Sequence, residues 1–496
     1  MITSDQTIRL IFGLKMRQLR QEKGLSFAAL SQTSGLSVSY LNEIEKGKKY
    51  PKADKILALS QALEVEYDQL VSIQLDKKLA PISDLLNSEF LNNIPLTMFG
   101  LEINKLIEMI AKAPVKVNAF ISTLIKLARS YEMQSDDFFF SALRSYQEMH
   151  DNYFPELEAA AKQFAKKYKI DVRPPVLPDQ LIHALKEVYG YTIDEQALSQ
   201  RPLLQGFRAI YNPEKNKLII NDSLSSNQKA FLLGKEIAFN YLGLQERPIL
   251  SNSFTVKSFD EVLNHFKASY FSVALLMNEQ MVVADMKALF GQKQWDSERF
   301  MDIMYKYAAS PEMFIQRLTN LLPKRFGIKQ LFFLRFNNQT DSHRFHITKE
   351  LHLSRLHDPH KNELSEHYCR RWVSIRVLNE LKAAQKTRLG RKHVMKTQRS
   401  RYIENGNEYI CFAIGRSNSP TPNTNVSVTL GLVLDKRLKK KLRFWNDDKI
   451  VRKEVNETCE RCTLAKCAER VAPPSVYEAQ RTQEKIETAL AELMQE

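Results

Sequence analysis

The chain has 496 residues, 44% hydrophobic and 26% charged, a globular mixture that excludes wholesale disorder and exceeds what one hydrophobic core can organise. Seventy-two Lys and Arg against 57 Asp and Glu leave a formal charge of +15, which favours polyanionic partners, nucleic acid first. No apolar stretch is long enough to cross a bilayer, and residues 1–20 read as a charged amphipathic segment rather than a signal peptide. A cytoplasmic protein with no membrane partner is therefore expected. Three of the five cysteines crowd near the C-terminus, the pattern of a metal or cluster site rather than a secreted disulfide framework.

Texture along the chain predicts a multidomain, mainly α protein with an α+β part. Residues 1–75 are short amphipathic pieces broken by Gly24, Gly35, Gly47 and Pro51, the rhythm of a compact helical domain. Residues 76–168 carry long helical periodicity, as in the stripe Leu101, Ile103, Leu106, Ile107 and Ile110, and read as a helical linker or dimerisation segment. Over 169–322 strands and helices alternate. Leu218-Ile219-Ile220 reads as a strand, and Ser225 or Ser226 caps a helix over 227–242. The segment 323–456 reads as an α+β domain with strand-like runs at 331–334, 409–414 and 426–433, and 417–425 as a loop. Residues 457–496 hold the cysteine cluster and a polar helix.

The N-terminal domain offers the clearest motif. A short helix begins at Leu25-Ser26-Phe27, a tight turn follows at Gly35, and a second helix runs over 37–46. Leu41 and Ile44 point inward, while Ser39, Tyr40, Asn42 and Glu43 face out. Lys48, Lys49 and Lys52 follow beyond Gly47. Short polar side chains on a helix with lysines past its end suit the major groove and its phosphates. Ser26, Ser37 and Lys46 complete the expected contact set. Leu30, Gly35, Leu36, Ser39, Tyr40, Leu41, Ile44, Glu45, Gly47 and Pro51 make residues 8–72 resemble the Cro/repressor-type helix-turn-helix family. The resemblance implies a five-helix domain that binds double-stranded DNA; the alternative is a packing unit with no nucleic-acid partner. Ten Lys and Arg against eight Asp and Glu in 1–75 put specificity on a homodimer reading half-sites about 34 Å apart.

Further on, Gly234-Lys235-Glu236-Ile237-Ala238-Phe239 and 266–277 resemble the core of the ImmA/IrrE-type metallopeptidase domain. That resemblance implies a zincin-like fold with H-E-x-x-H on one helix and an acidic ligand on the next. Here Lys235 and Phe239 stand at the two His positions, Glu236 alone remains, and His265 stands at the acidic position. An ammonium and a phenyl ring have no lone pair for zinc, so no peptidase is expected. Lys235, Phe239, Phe266, Tyr270 and Phe271 could instead line a small-molecule pocket, although their spacing equally suits helix–helix core.

Cys459, Cys462 and Cys467 form C-x2-C-x4-C, and Cys369 in Tyr368-Cys369-Arg370-Arg371-Trp372 is the best fourth ligand. Four thiolates suit Zn or an iron–sulfur cluster; free thiols in a tail are the alternative. Cys411, between Ile410 and Phe412, reads as a core thiol. Six histidines over 343–367 read as surface or packing residues. Two basic runs, 386–401 and 436–443, read as solvated faces or phosphate contacts. With Ser145-Tyr146-Gln147-Glu148-Met149-His150-Asp151-Asn152-Tyr153-Phe154-Pro155 and Ala268-Ser269-Tyr270-Phe271, this arrangement resembles the short-chain fatty acyl transcriptional regulator family. The resemblance implies a transcriptional regulator with an acyl-CoA effector and favours iron–sulfur over zinc. Two further readings stay open: a peptidase cleaving a partner repressor, and a redox or iron sensor working through the cysteines.

Overall fold

The computed structural model describes residues 4–72, 135–247, 258–353, 366–386, 393–417 and 423–494. It divides into one unit of Met1–Ala142 with Thr255–Val262 and another of Leu143–Phe254 with Leu263–Glu496. Both the stripe at 101–110 and most of the expected linker lie outside the described residues. Among the described residues no helix is long and apolar enough to cross a membrane.

In the first unit, helices α1 (Ser4–Glu22), α2 (Phe27–Ser34), α3 (Val38–Glu45), α4 (Ala53–Ala62) and α5 (Tyr67–Val71) surround one small core. Phe12, Met16, Leu30, Leu41, Ile44, Ile56, Leu59, Leu63 and Leu70 fill it. Local chemistry sets the turn. The Ser26 hydroxyl accepts from Ala29 N at 3.1 Å, Ser37 accepts from Tyr40 N at 3.3 Å, and Gly35 takes the left-handed conformation at φ 70°. Gly13 on α1 has a different duty. A Cβ there would run into the Ile44 carbonyl at the end of α3, so only glycine lets these helices approach so closely.

The second unit begins within α6 (Ser135–Met149) and continues through α7 (Pro155–Lys167), α8 (Pro178–Tyr189) and a small sheet. Its strands β1 (Thr192–Asp194), β2 (Ala209–Asn212) and β3 (Lys217–Ile220) lie in the order β1-β3-β2. Next come α9 (Ser226–Tyr241), α10 (Phe259–Leu276), α11 (Glu279–Phe290), α12 (Ser297–Lys306) and α13 (Pro311–Phe326). Gly234 lets α9 and α10 touch, since a Cβ there would strike Ser272. The part of the expected linker from Tyr153 onward is core instead. Phe154, Leu157 and Phe164 pack with Leu233, Tyr270 and Phe271, because α7 shows them a continuous apolar stripe.

A larger sheet follows, built from β4 (Leu331–Gln339), β5 (His346–His352), then after α14 (Val373–Lys386) β6 (His393–Tyr402), β7 (Glu408–Ser417), β8 (Thr424–Val433) and, after α15 (Lys436–Lys441), β9 (Val451–Val455). The strand order is β5-β4-β8-β7-β6-β9, antiparallel except for the parallel β6–β9 pair. Both faces of its centre are covered. Ile410, Phe412, Ile414, Val428 and Leu430 join the helical core, whereas Tyr409, Cys411 and Ala413 pack with Val377, Leu378 and Leu381 of α14. Double burial explains why β7 reads as an unbroken apolar run over 409–414, whereas β8 alternates Val426, Val428, Leu430 and Leu432 with small or polar residues that are buried as well. Helix α16 (Ser475–Leu493) closes the described chain.

Candidate functional site

Three places carry the expected chemistry. On the first, α3 turns Leu41 and Ile44 into the core while Ser37, Ser39, Lys46, Lys48 and Lys49 are exposed and Asn42 and Glu43 half-buried. Its rear is anchored by Arg20, whose Nε donates to Glu45 Oε1 at 2.6 Å and Nη2 to Oε2 at 3.1 Å. The same guanidinium lies 4.2 Å from the Phe27 ring, so α1, α2 and α3 are held in one register. Some expected contact residues already have partners. Ser26 and Ser37 serve as helix caps, Glu43 pairs with Lys49 at 2.9 Å, and Tyr40 packs on the core edge with Lys55 4.5 Å from its ring. Ser39, Asn42, Lys46 and Lys48 are left as the outward set.

The second place is the face between α9 and α10. Lys235, 6% exposed, has its Nζ 2.7 Å from His265 Nε2. Burial pulls the Lys235 ammonium down to about 8, partly offset by Glu236. The Lys235 charge, then burial, holds His265 well below the ordinary histidine range. Glu236 is held as well. Arg247 Nη2 donates to its Oε2 at 2.6 Å, and the Tyr191 hydroxyl donates to the same atom at 3.2 Å. The Arg247 guanidinium stacks 3.8 Å from the Tyr211 ring and 4.6 Å from Phe239. Two cations and a phenyl ring thus occupy the face where a zincin needs lone pairs. Arg247 lies outside the motif, so motif spacing does not reveal it; a cation a few residues beyond α9 is its only trace in the sequence.

The residues expected to line a ligand pocket are spent otherwise. Phe239, Tyr270 and Phe271 are buried in the hydrophobic core, and Phe266 packs against its edge. The Tyr270 hydroxyl donates to Glu158 Oε1 at 2.9 Å and accepts from Phe154 N at 3.3 Å. These side chains build the core.

The third place is the cysteine cluster. An antiparallel bridge joins Tyr368 to Thr458, with Cys459 N donating to His367 O at 2.8 Å and Cys369 N to Glu457 O at 3.0 Å. This contact carries Cys369 across to the C-terminal segment, and Cys369, Cys459, Cys462 and Cys467 line one pocket with Arg370, Arg371 and Arg470. All five cysteines are free thiols. Arg470 donates to the Cys459, Cys462 and Leu464 carbonyls at 2.9, 3.2 and 2.5 Å, shaping the loop from inside. Burial pushes the Cys369 thiol up to about 11. The donor set suits a thiophilic metal or cluster, yet among the described residues no three His, Cys, Asp or Glu are gathered closely enough to hold an ion. His367 Nδ1 lies 2.8 Å from Glu460 Oε1 beside this pocket; from sequence it was one histidine among six. Cys411 is buried mid-strand, its thiol pushed up to about 12 by burial.

The basic runs are partly neutralised where described. Lys396 pairs with Glu380, and Arg399 reaches Glu408 at 3.2 Å. Arg461 is bound to Glu366 at 2.7 Å.

Comparison with known proteins agrees with this anatomy. A Helix-turn-helix family model matches residues 16–70, and an IrrE N-terminal-like domain model matches residues 201–319. The HTH-type transcriptional regulator RamB of Mycobacterium tuberculosis (strain CDC 1551 / Oshkosh) is 24% identical over 281 residues, 53% of this chain and 57% of RamB. The HTH-type transcriptional regulator PrpR of M. tuberculosis (strain ATCC 25618 / H37Rv) is 21% identical over 245 residues, 46% of this chain and 48% of PrpR. The chain therefore spans about half the length of the curated relatives it matches. A solved Mycobacterium tuberculosis transcriptional regulator aligns with 68% of this chain and 93% of its own, at 17% identity and a TM-score of 0.47. The chain thus joins a helix-turn-helix domain to an IrrE-like domain and is similar to HTH-type transcriptional regulators.

Proposed function

We propose that the protein is a sequence-specific DNA-binding transcriptional regulator acting as a homodimer or higher homo-oligomer, and that its second unit senses a short-chain acyl-CoA or related metabolite. The recognition helix carries this reading. Its inner face is fixed by Leu41, Ile44 and the Arg20–Glu45 pair, while Ser39, Asn42, Lys46 and Lys48 remain outward. Asn42→Ala is expected to cost about 1–3 kcal/mol at the operator and little elsewhere. Lys48→Ala should weaken binding to every duplex alike and reduce the salt slope by about 1. Fluorescence anisotropy across a salt series separates the two. Equal, sequence-independent losses from both would remove the assignment. Effector and operator must be coupled reciprocally, each changing the other's affinity by the same factor.

In this reading the protein is no peptidase. Lys235 and Phe239 cannot ligate zinc, and Glu236 is committed to Arg247. By donor type the cysteine pocket is the position for an iron–sulfur cluster or zinc, which Cys369, Cys459, Cys462 and Cys467 would draw together to hold. Bound there, the group would supply thiolate-based crosslinking and, if it contains iron, redox response. Arg470 organises the loop, and Arg370 and Arg371 bring positive charge to thiolate ligands. Cys459→Ser and Cys462→Ser are expected to abolish metal content measured by native mass spectrometry on protein purified without oxygen. A structural staple would then lose its fold by circular dichroism, whereas a switch would stay folded in one DNA-binding state. Undiminished metal in both variants would place the metal elsewhere.

A further inference from the structure

The run from Lys436 to Arg452 holds eight Lys and Arg against two Asp, and neither the helix-turn-helix nor the cysteine pocket uses it. Leu438 and Leu442 turn into the core, which leaves Lys436, Arg437 and Lys440 exposed on α15 and Arg443 exposed just beyond it. Local chemistry does not favour this helix. Lys436 and Lys440, four residues apart, repel each other. Lys436 and Arg437 also sit in its first turn, where the helix dipole is itself positive. Nearby carboxylates are engaged elsewhere. Asp435 accepts from Leu438 N at 2.6 Å, and Asp447 accepts from Trp295 N at 2.7 Å and Lys449 N at 2.9 Å. Among the described residues, none of Lys436, Arg437, Lys439, Lys440, Arg443 and Arg452 forms an ion pair.

Direct contacts gather cations from three elements onto one face. Lys439 Nζ lies 4.7 Å from the centre of the Trp445 ring, and the Arg399 guanidinium of β6 lies 5.0 Å from it. Asn446 Oδ1 accepts from Arg399 Nη1 at 2.7 Å and from Arg452 Nη2, on the edge strand β9, at 3.1 Å. Buried Phe444 and the bond from Trp295 N to Asp447 pin the intervening loop to the core. Cations fixed in place without an internal anion suit a phosphate backbone. We propose that α15, the loop over 442–447 and β9 form a second, sequence-independent contact for duplex DNA. A membrane surface fits less well, since the apolar residues of α15 point inward and offer nothing to insert. Single strands need open aromatic faces, and Trp445 is half-buried with cations against it. The inference rests on the DNA-binding reading above. It supplies phosphate affinity that residues 1–75, with ten Lys and Arg against eight Asp and Glu, provide sparingly.

Fluorescence anisotropy of the full chain on a long mixed-sequence duplex, across a salt series, tests it. Combining Lys436→Gln, Lys439→Gln and Lys440→Gln is expected to lower the salt slope by about 3. Combining Lys162→Gln, Lys166→Gln and Lys186→Gln, exposed lysines of α7 and α8, removes the same charge and should leave the slope unchanged. Trp445 is half-buried, whereas Trp295 and Trp372 are buried. Duplex should therefore quench Trp445 emission, and Trp445→Phe should abolish the quenching. Thermal melts report that each variant folds. A wild-type slope in the first triple variant, an equal fall in the second, or quenching that survives Trp445→Phe would each overturn the proposal. So would tighter binding of a single-stranded oligonucleotide or of phosphatidylserine vesicles than of the duplex. Wild-type protein that binds no duplex at low salt would sink the DNA-binding reading itself, whereas an unchanged slope with duplex binding intact sinks only this contact.

Discussion

Arg317→Met is expected to destabilise the second unit by about 3–5 kcal/mol, read as a lowered urea midpoint at unchanged slope. Arg317 is fully buried. Its Nε donates to the Met277 carbonyl at 3.0 Å, its Nη2 to Glu158 Oε2 at 3.0 Å, and its Nη1 to Glu158 Oε1. Tyr270 and Phe154 join the same chain of hydrogen bonds, so α7, α10 and α13 meet at one ion pair. Removing the cation leaves Glu158 charged in a poorly solvated place, where the loss exceeds anything an exposed pair provides. Asp171–Arg173, with Arg173 81% exposed, should by contrast contribute nothing measurable. Lys at position 317 cannot rescue the loss, because one ammonium cannot reach the Met277 carbonyl and both carboxylate oxygens. A midpoint for Arg317→Met close to wild type would show that this network carries little.

The second large effect is a pH dependence centred on Lys235. Its value falls from 10.5 to about 8 on folding, chiefly through burial, with Lys349, Arg247 and Arg208 adding to the fall and Glu236 opposing it. Between those two values the unfolded chain binds more protons than the folded one, so stability rises with pH across that window. The full span is worth roughly 3 kcal/mol. Urea unfolding at pH 7.5 and 10 in the wild type and Lys235→Met isolates it, since the variant keeps every other titrating group. Lys235→Met should also bring His265 back toward the ordinary histidine range, visible by NMR, because the neighbouring ammonium is the first cause of its depression. Parallel stability profiles for the two proteins would defeat the assignment.

What could be read in advance follows from how local each signal is. The helix-turn-helix was legible because Ser26, Gly35 and Ser37 act within three residues of themselves. That Lys235 and Phe239 offer zinc no lone pair was legible, since ligand chemistry belongs to the side chain itself. What surrounds them was not. The Lys235–His265 contact and the approach of Arg247 depend on how α9 and α10 pack.

The larger sheet divides the same way. Its buried strands β4 and β7 announce themselves as apolar runs and β8 by its alternation. The edge strands β5 and β9 are built largely from His, Lys, Arg and Glu, and β6 beside β9 carries three basic residues and a histidine. Their strand character lies in pairing rather than composition, so half of a basic run proved to be strand. Cys369 was the best candidate for a fourth ligand, and the Tyr368–Thr458 bridge is what brings it beside the C-terminal cysteines.

That bridge also sets a timetable for biogenesis. Cys369 precedes α14, whereas Cys459 follows β9, so four strands must leave the ribosome before the thiols share a wall. A group that needs all four thiols could be seated only after these strands have formed.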